Sequence, residues 1–235
     1  MSLPYFYISV YDKGQPDICL DEDNSRHIVQ VLRMGAGKEL HLTDGKGALL
    51  VATIADAHKK KCRVVVTSAT VLPPPGRKVT IAISPPKNAS RFEWFLEKAT
   101  EIGVSEIIPL QTERTERGHL RADRLRQILV SALLQSQQTW LPVLRPLTPL
   151  AGLDIHNDDR RLIAWLGDAK PAGLPTADSR STVILIGPEG DFTPGEAEYA
   201  LKNGYVPVSL GKNRLRTETA GVVAATLLCI GSGRP

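Results

Sequence analysis

Two segments of the sequence combine glycines with charged side chains, and each follows a run typical of a buried strand. The first, residues 185–192, reads LIGPEGDF. Its glycines let backbone groups approach a ligand closely, and its proline stiffens the loop. Glu189 and Asp191 would repel a phosphate, so the segment favours a cationic or neutral ligand. The alternative is a tight strand-to-helix turn that binds nothing.

The second segment, residues 209–220, reads SLGKNRLRTETA and opens the last predicted helix. Its threonines are typical helix caps, and Arg216 and Glu218 place opposite charges beside one end of that helix. An arginine here could grip an RNA phosphate or stabilise an anion during a reaction. The alternative is a solvated cap with a surface ion pair, which contributes little to stability.

Basic residues form a third candidate set, because clustered lysines and arginines can follow a phosphate backbone. The net charge of +4 is compatible with a polyanionic partner but does not require one. The alternative is a solvated charged face. We expect RNA contacts from Arg33, Lys59, Lys60, Lys61, Arg63 and Arg114.

Cysteine and histidine patterns disfavour a metal enzyme. Cys19, Cys62 and Cys229 lie far apart and form no CxxC, and the five histidines form no HExxH. The longest largely apolar stretch, residues 222–230, is far short of the roughly 20 residues that a membrane span needs. The amino end shows no secretory signal. We therefore expect a cytoplasmic protein with reduced thiols, no metal and no membrane contact.

The elements that position these segments form two predicted domains, separated by the proline-rich run at residues 73–76. Residues 1–72 carry short strand patterns around one helix at 24–32, which predicts a small β-barrel or sheet. Residues 77–235 alternate strands with helices, two of which begin at predicted capping boxes that start at Ser90 and Thr193. This alternation predicts a mostly parallel sheet with helices on both faces. Both glycine-containing loops then follow carboxyl ends of strands, where such sheets bind ligands.

The two loops and two further motifs resemble the RsmE family, the ribosomal RNA small-subunit methyltransferase E family of the SPOUT class. The shared segments are HIVQVLR at 27–33, FLEKATEIGV at 95–104, LIGPEG at 185–190 and LRTETA at 215–220. The resemblance implies an α/β fold, in which a SPOUT-type parallel sheet with a carboxy-terminal trefoil knot follows a small PUA-like β-barrel. The barrel, residues 1–72, is expected to bind RNA.

The resemblance also implies methyl transfer from S-adenosylmethionine to N3 of a uridine in 16S ribosomal RNA of the small subunit, carried out by a homodimer. Arg216 is then the candidate that stabilises the uridine anion, and Glu218 either orients Arg216 or takes part in proton removal. The cofactor pocket carried over from the family consists of Leu166, Gly187, Pro188, Glu189, Gly190, Ser209, Leu210, Gly211, Leu215, Arg216, Thr217 and Thr219.

The sequence departs from the family's pattern at three places. Many relatives have glycine where Asp191 stands, arginine where Asn213 stands, and an EQxGR run where residues 134–138 read LQSQQ. Arg214 is the candidate replacement for the missing arginine. Two rival functions therefore stay open: a non-catalytic RNA-binding or ribosome-assembly protein, and SPOUT methylation of another RNA position.

Overall fold

The chain divides into two compact units in the computed structural model, which describes residues 3–116, 120–155, 159–165, 167, 172–173 and 180–230. The amino-terminal unit comprises Met1–Pro74 and Leu133–Leu141, and the carboxy-terminal unit comprises Pro75–Ala132 and Pro142–Pro235. Residues 77–235 are thus not one continuous compact unit, because 133–141 return to the first. In the described part of the chain, no helix is both long and apolar enough to span a membrane.

A five-stranded sheet forms the amino-terminal unit, with the strand order β1-β3-β4-β5-β2. Among the described strands of this sheet, the β1–β3 pair is parallel and the other pairs are antiparallel. Buried and half-buried side chains alternate along β4, where Leu50, Ala52 and Ile54 point into the core. The strands are β1 (Tyr5–Tyr7), β2 (Asp17–Cys19), β3 (Glu39–Thr43), β4 (Ala48–Asp56) and β5 (Arg63–Val71).

The predicted helix at 24–32 is two shorter elements. Helix α1 (Glu22–Arg26) begins at Asp21, whose carboxylate accepts a hydrogen bond from the Asn24 backbone N–H at 2.8 Å. A single π-helical turn, His27–Val31, continues it. The sequence pattern does not predict strand β2, because this strand has only three residues and no buried side chain.

The segment 133–141 joins the amino-terminal unit through Trp140. This residue forms an isolated antiparallel bridge with Lys46, and its indole Nε1 donates to the Pro73 carbonyl at 3.0 Å. The ring lies so close to Gly47 that a Cβ added there would sit 2.6 Å from Trp140 Cζ2. The glycine at this turn therefore makes room for the returning segment.

A sheet of parallel strands forms the carboxy-terminal unit, which confirms the predicted α/β class. The strand order is β11-β13-β10-β12-β6-β7-β8, with β9 also paired to β7. Strands β6 and β12 are buried along their whole length, as expected for the centre of such a sheet. The strands are β6 (Val79–Ile83), β7 (Glu106–Gln111), β8 (Val143–Leu144), β9 (Thr148–Pro149), β10 (Arg160–Ala164), β11 (Ala172–Gly173), β12 (Thr182–Ile186) and β13 (Val206–Ser209).

Helices cover both faces of this sheet, also as predicted. On one face Ala82 and Leu185 pack in a cluster with Ala200 of α4, while Ile83, which points to the other face, lies beside Gly221 of α5. The helices are α2 (Ala89–Ile102), α3 (Ala122–Gln135), α4 (Pro194–Lys202) and α5 (Thr217–Ile230), together with a 3-10 turn at Leu150–Gly152.

Caps set where these helices begin. The capping box of Thr193 and Glu196 is present at α4, as predicted. At α2 the predicted box is wrong, because Asn88 rather than Ser90 is the cap and accepts a hydrogen bond from the Ser90 backbone N–H at 2.9 Å. Helix α5, which begins within the LRTETA segment, packs against α2 and against β6 and β12 at the centre of the sheet.

Burial of the Tyr205 phenol predicts that the folded protein loses stability at alkaline pH. Burial raises the pKa of this phenol to about 12, although the nearby charge of Arg161 opposes the shift. The neutral phenol is therefore favoured in the folded state. The stabilisation that this preference gives to the folded protein is complete below pH 10 and is lost as the pH rises towards 12. The free energy of unfolding of the wild-type protein should therefore fall by roughly 2–3 kcal/mol over this range because of Tyr205, and Tyr205→Phe should remove that part of the fall. Urea unfolding of both proteins from pH 9 upward checks this, and parallel curves would contradict it.

Candidate functional site

A cavity of about 650 Å³ lies at the carboxyl ends of three adjacent strands, β13, β10 and β12. Residues 187–191 follow β12 and residues 210–216 follow β13, so the sheet brings the two glycine-containing loops together as predicted. The cavity is lined by Ala164, Ile186, Gly187, Pro188, Glu189, Asp191, Val208, Leu210, Gly211, Lys212, Asn213, Arg214, Leu215, Arg216, Thr217 and Ala220.

A tight turn shapes the first loop. The Asp191 backbone N–H donates to the Pro188 carbonyl at 2.9 Å, and Asp191 has a φ of 63°, in the left-handed region. Glycine is the usual residue in this region. Aspartate is among the few other residues that tolerate this conformation, and its Oδ1 accepts a bond from the Phe192 N–H at 2.8 Å. The departure at Asp191 therefore keeps the turn.

The second loop also depends on a special backbone position. Gly211 has a φ of 143°, which side-chain-bearing residues rarely adopt. The Ser209 hydroxyl donates to the Gly211 carbonyl at 3.0 Å and accepts from the Gly211 N–H at 3.3 Å. Ser209 therefore closes this turn and does not line the cavity.

Side chains tie the two loops together. Thr217 Oγ1 donates to the Gly187 carbonyl at 3.1 Å, and Arg214 Nη2 donates to the Glu189 carbonyl at 3.3 Å. Arg114, from the segment after β7, donates to the Gly190 carbonyl. Three backbone carbonyls of the first loop are thus held by side chains from two other segments, which gives the cavity wall a defined shape.

Most of the predicted pocket residues line this cavity. They are Gly187, Pro188, Glu189, Leu210, Gly211, Leu215, Arg216 and Thr217. Gly190 and Ser209 are not among its lining residues but make hydrogen bonds in the loops that form it. Thr219 lines a second cavity, and Leu166 lies outside the described residues. Strand-end residues Ala164 and Val208 were not among the predictions, although their places at the ends of β10 and β13 are a signal that parallel-sheet topology provides.

Charge is divided across the cavity. Glu189 and Asp191 contribute carboxylates from the first loop, whereas Lys212, Arg214 and Arg216 contribute cations from the second. The remaining walls are largely apolar or backbone. Such a site can hold a ligand that carries a positive charge at one end and negative charge at the other.

The second predicted catalytic residue lies in a neighbouring cavity. This second cavity, of about 340 Å³, is lined by Ser90, Arg91, Trp94, Arg216, Glu218 and Thr219. Arg216 therefore belongs to both cavities. The Glu218 side chain is only 8% exposed, and its ion pair, at 3.6 Å between oxygen Oε1 and a guanidinium Nε, is with Arg91 rather than with Arg216.

Most of the predicted RNA-binding residues lie on the amino-terminal unit. Arg33 and the lysines at 59–61 are exposed, and the lysines precede strand β5. Acidic neighbours partly neutralise the run, since Lys60 lies 3.7 Å from a Glu22 oxygen and Arg63 lies 3.6 Å from an Asp17 oxygen. Arg114 belongs to the carboxy-terminal unit. Across the described ranges, no group of three or more histidine, cysteine, aspartate or glutamate residues could hold a metal ion.

Comparison with known proteins places these features in a family. The chain matches the RNA methyltransferase domain family over residues 73–229 and the RNA methyltransferase PUA domain family over residues 20–67. The ribosomal RNA small subunit methyltransferase E of Synechocystis sp. is 33% identical over 216 residues, which cover 84% of this chain and 68% of that protein.

Solved structures agree with both the fold and the family. The probable rRNA-methyltransferase from Porphyromonas gingivalis is 44% identical, with a TM-score of 0.87 and 95% of each chain covered. The ribosomal RNA small subunit methyltransferase E from Neisseria gonorrhoeae, bound to S-adenosyl methionine, is 28% identical, with a TM-score of 0.84 and the same coverage. A SPOUT-type sheet joined to a PUA-like domain is thus confirmed, and the chain belongs to the RsmE family of RNA methyltransferases.

Proposed function

We propose that this protein transfers a methyl group from S-adenosylmethionine to N3 of a uridine in 16S ribosomal RNA of the small subunit. The observation that carries the proposal is the cavity between the two strand-end loops, in a chain that belongs to the RsmE family. Arg216 adds to it, because its side chain lies between this cavity and a second one large enough for a base. A donor site and an acceptor site next to each other are what a group transfer requires.

The residues present suit S-adenosylmethionine. A volume of about 650 Å³ is within the range of small-molecule sites, roughly 300–1,000 Å³. Ile186, Leu210 and Leu215 offer an apolar slot for an adenine ring, and Glu189 and Asp191 offer negative charge to a sulfonium. When bound, this cofactor supplies a methyl group on a positively charged sulfur, which keeps the electron pair of the broken carbon–sulfur bond.

The protein's own side chains must deal with the uridine proton. N3 of uridine is weakly acidic, so its proton leaves before or as the nitrogen forms its bond to carbon. The guanidinium of Arg216 stabilises the negative charge that spreads over the uracil oxygens. Glu218 is buried, lies in the same cavity as Arg216 and pairs with Arg91, which favours a role in proton removal over a role in orienting Arg216.

The amino-terminal unit contributes RNA affinity in this proposal. Its exposed lysines at 59–61 supply charge that can contact phosphates, and its match to the PUA domain family supports the same role. We further propose that the protein acts as a homodimer, as the family resemblance implies, and that it does so in the cytoplasm.

The decisive experiment is nucleoside mass spectrometry of small-subunit RNA from cells with and without this protein, with the gene restored as the control. We expect one N3-methyluridine per RNA to disappear and to return with the gene. The purified full chain should then add a labelled methyl group to RNA from the deficient cells. A lost 2′-O-methyl group would indicate another RNA position, and unchanged modification despite cofactor binding would indicate a non-catalytic RNA-binding protein.

A further inference from the structure

The second cavity has the composition of a nucleobase site. It measures about 340 Å³, roughly half the first cavity, and its walls come from the first two turns of α2 and the start of α5. Trp94 is 43% exposed on this surface. A partly exposed indole beside a cavity of this size is a platform on which one base can stack.

Glu218 gives this cavity an unused acceptor. The residue is 6% exposed, and its Oε2 has no hydrogen-bond partner among the described residues. The other oxygen is 3.6 Å from Arg91 Nε, too far for a good hydrogen bond. Buried carboxylate oxygens normally have a hydrogen-bond partner, so this carboxylate is poised for a donor that the described part of the chain does not supply. Because the terminal torsion of glutamate is broad and two-fold, either oxygen can face a ligand.

The polar groups around the cavity are of two kinds. Arg91 and Arg216 carry guanidinium groups, which only donate hydrogen bonds, whereas the carboxylate of Glu218 accepts them. The pairing edge of uracil has the complementary set, because its N3–H donates and the oxygens on either side accept. Cytosine presents an acceptor at N3 and a donor amine beside it, so it would set an acceptor against the carboxylate and a donor against an arginine.

We propose that the second cavity receives the target uracil, that Trp94 stacks on the ring, and that Glu218 with the arginines at 91 and 216 selects uracil over cytosine. This inference rests on the proposed methylation and adds the substrate-binding residues to it. In this arrangement Glu218 accepts the hydrogen bond from N3–H, and the proton passes to its carboxylate as N3 forms its bond to the methyl carbon. The carbon–sulfur bond of S-adenosylmethionine breaks in the same step, and its electron pair stays on the sulfur of the departing S-adenosylhomocysteine. The shared Arg216 then contacts the base from the side that faces the cofactor cavity.

The test compares the binding of two probes to the full chain: a five-nucleotide oligouridylate and a five-nucleotide oligocytidylate, each in the presence of S-adenosylhomocysteine. We expect the wild-type protein to prefer oligouridylate by about tenfold or more. Glu218→Gln should reduce that preference to about twofold, because an amide both donates and accepts. Glu97→Gln is the matched control on α2 outside the cavity, where Lys98 pairs with the carboxylate, and it should leave the preference unchanged.

A second variant separates stacking from base selection. Trp94→Ala should lower the affinity for both probes by about tenfold and leave the ratio of the two affinities unchanged, since stacking tolerates either base. If Glu218→Gln does not fold, Arg91→Gln replaces it and should also narrow the preference. An equal affinity of the wild-type protein for both probes, or a preference that survives these substitutions, overturns the inference. Methylation of RNA by the same wild-type sample shows separately whether the proposed function itself holds.

Discussion

Replacing Arg216 with alanine should lower the single-turnover methylation rate about 100-fold or more at saturating RNA and cofactor, the range typical for a lost electrostatic stabiliser. Arg216 is exposed and lines both cavities, so its charge is available where negative charge develops on the base. If it acts mainly in the transition state, the affinity for S-adenosylmethionine should change by less than about tenfold. Rapid-quench methylation and calorimetry measure the two quantities.

Two further variants make this result specific. Arg216→Lys should recover only part of the rate, because an ammonium supplies charge without the planar fork of donors. Arg214→Ala is the matched control on the same loop; its side chain holds the Glu189 carbonyl, so its loss should weaken cofactor binding more than it slows the chemical step. A rate for Arg216→Ala that excess RNA restores to the wild-type value would instead assign this arginine to RNA binding.

The first cavity could be located from sequence because its parts lie in local motifs. Strands β12 and β13 end in glycine-containing loops, and a parallel sheet places successive strand ends on one edge. The position of β10 between them, which brings Ala164 into the wall, is a property of the whole sheet. The trefoil knot follows from the resemblance alone, since ordinary rules for chain connections exclude threaded chains.

The second cavity could not be located from sequence, because it depends on how two distant helices pack. Arg91 and Trp94 have the spacing of an ordinary amphipathic helix, and nothing in their own segment connects them with Glu218. The return of residues 133–141 to the amino-terminal unit is hidden in the same way, since α3 (Ala122–Gln135) continues across the boundary without a break. Contacts between distant segments leave no periodic signal.

Gly221 sets how closely α5 approaches α2 and the sheet, so enlarging it should cause a large loss of stability. A Cβ at this position would lie 2.6 Å from Phe95 Cε2 and 2.8 Å from Ile83 Cδ1. Both neighbours are fully buried and have little space to move. Overpacking of this kind typically costs about 1–3 kcal/mol, which outweighs the roughly 1 kcal/mol by which alanine favours a helix over glycine.

We therefore expect Gly221→Ala to lower the free energy of unfolding by about 1–2 kcal/mol and Gly221→Val to lower it by about 3 kcal/mol or more. Gly195→Ala is the matched control, because Gly195 lies in helix α4 with open space around its missing Cβ and should gain up to about 1 kcal/mol. Urea unfolding measures all three. Since Arg216 and Glu218 stand at the start of α5, the Gly221 variants should also methylate RNA more slowly even where they remain folded. If Gly221→Ala proved as stable as Gly195→Ala, the close approach of α5 to α2 would not be the constraint that positions these two side chains.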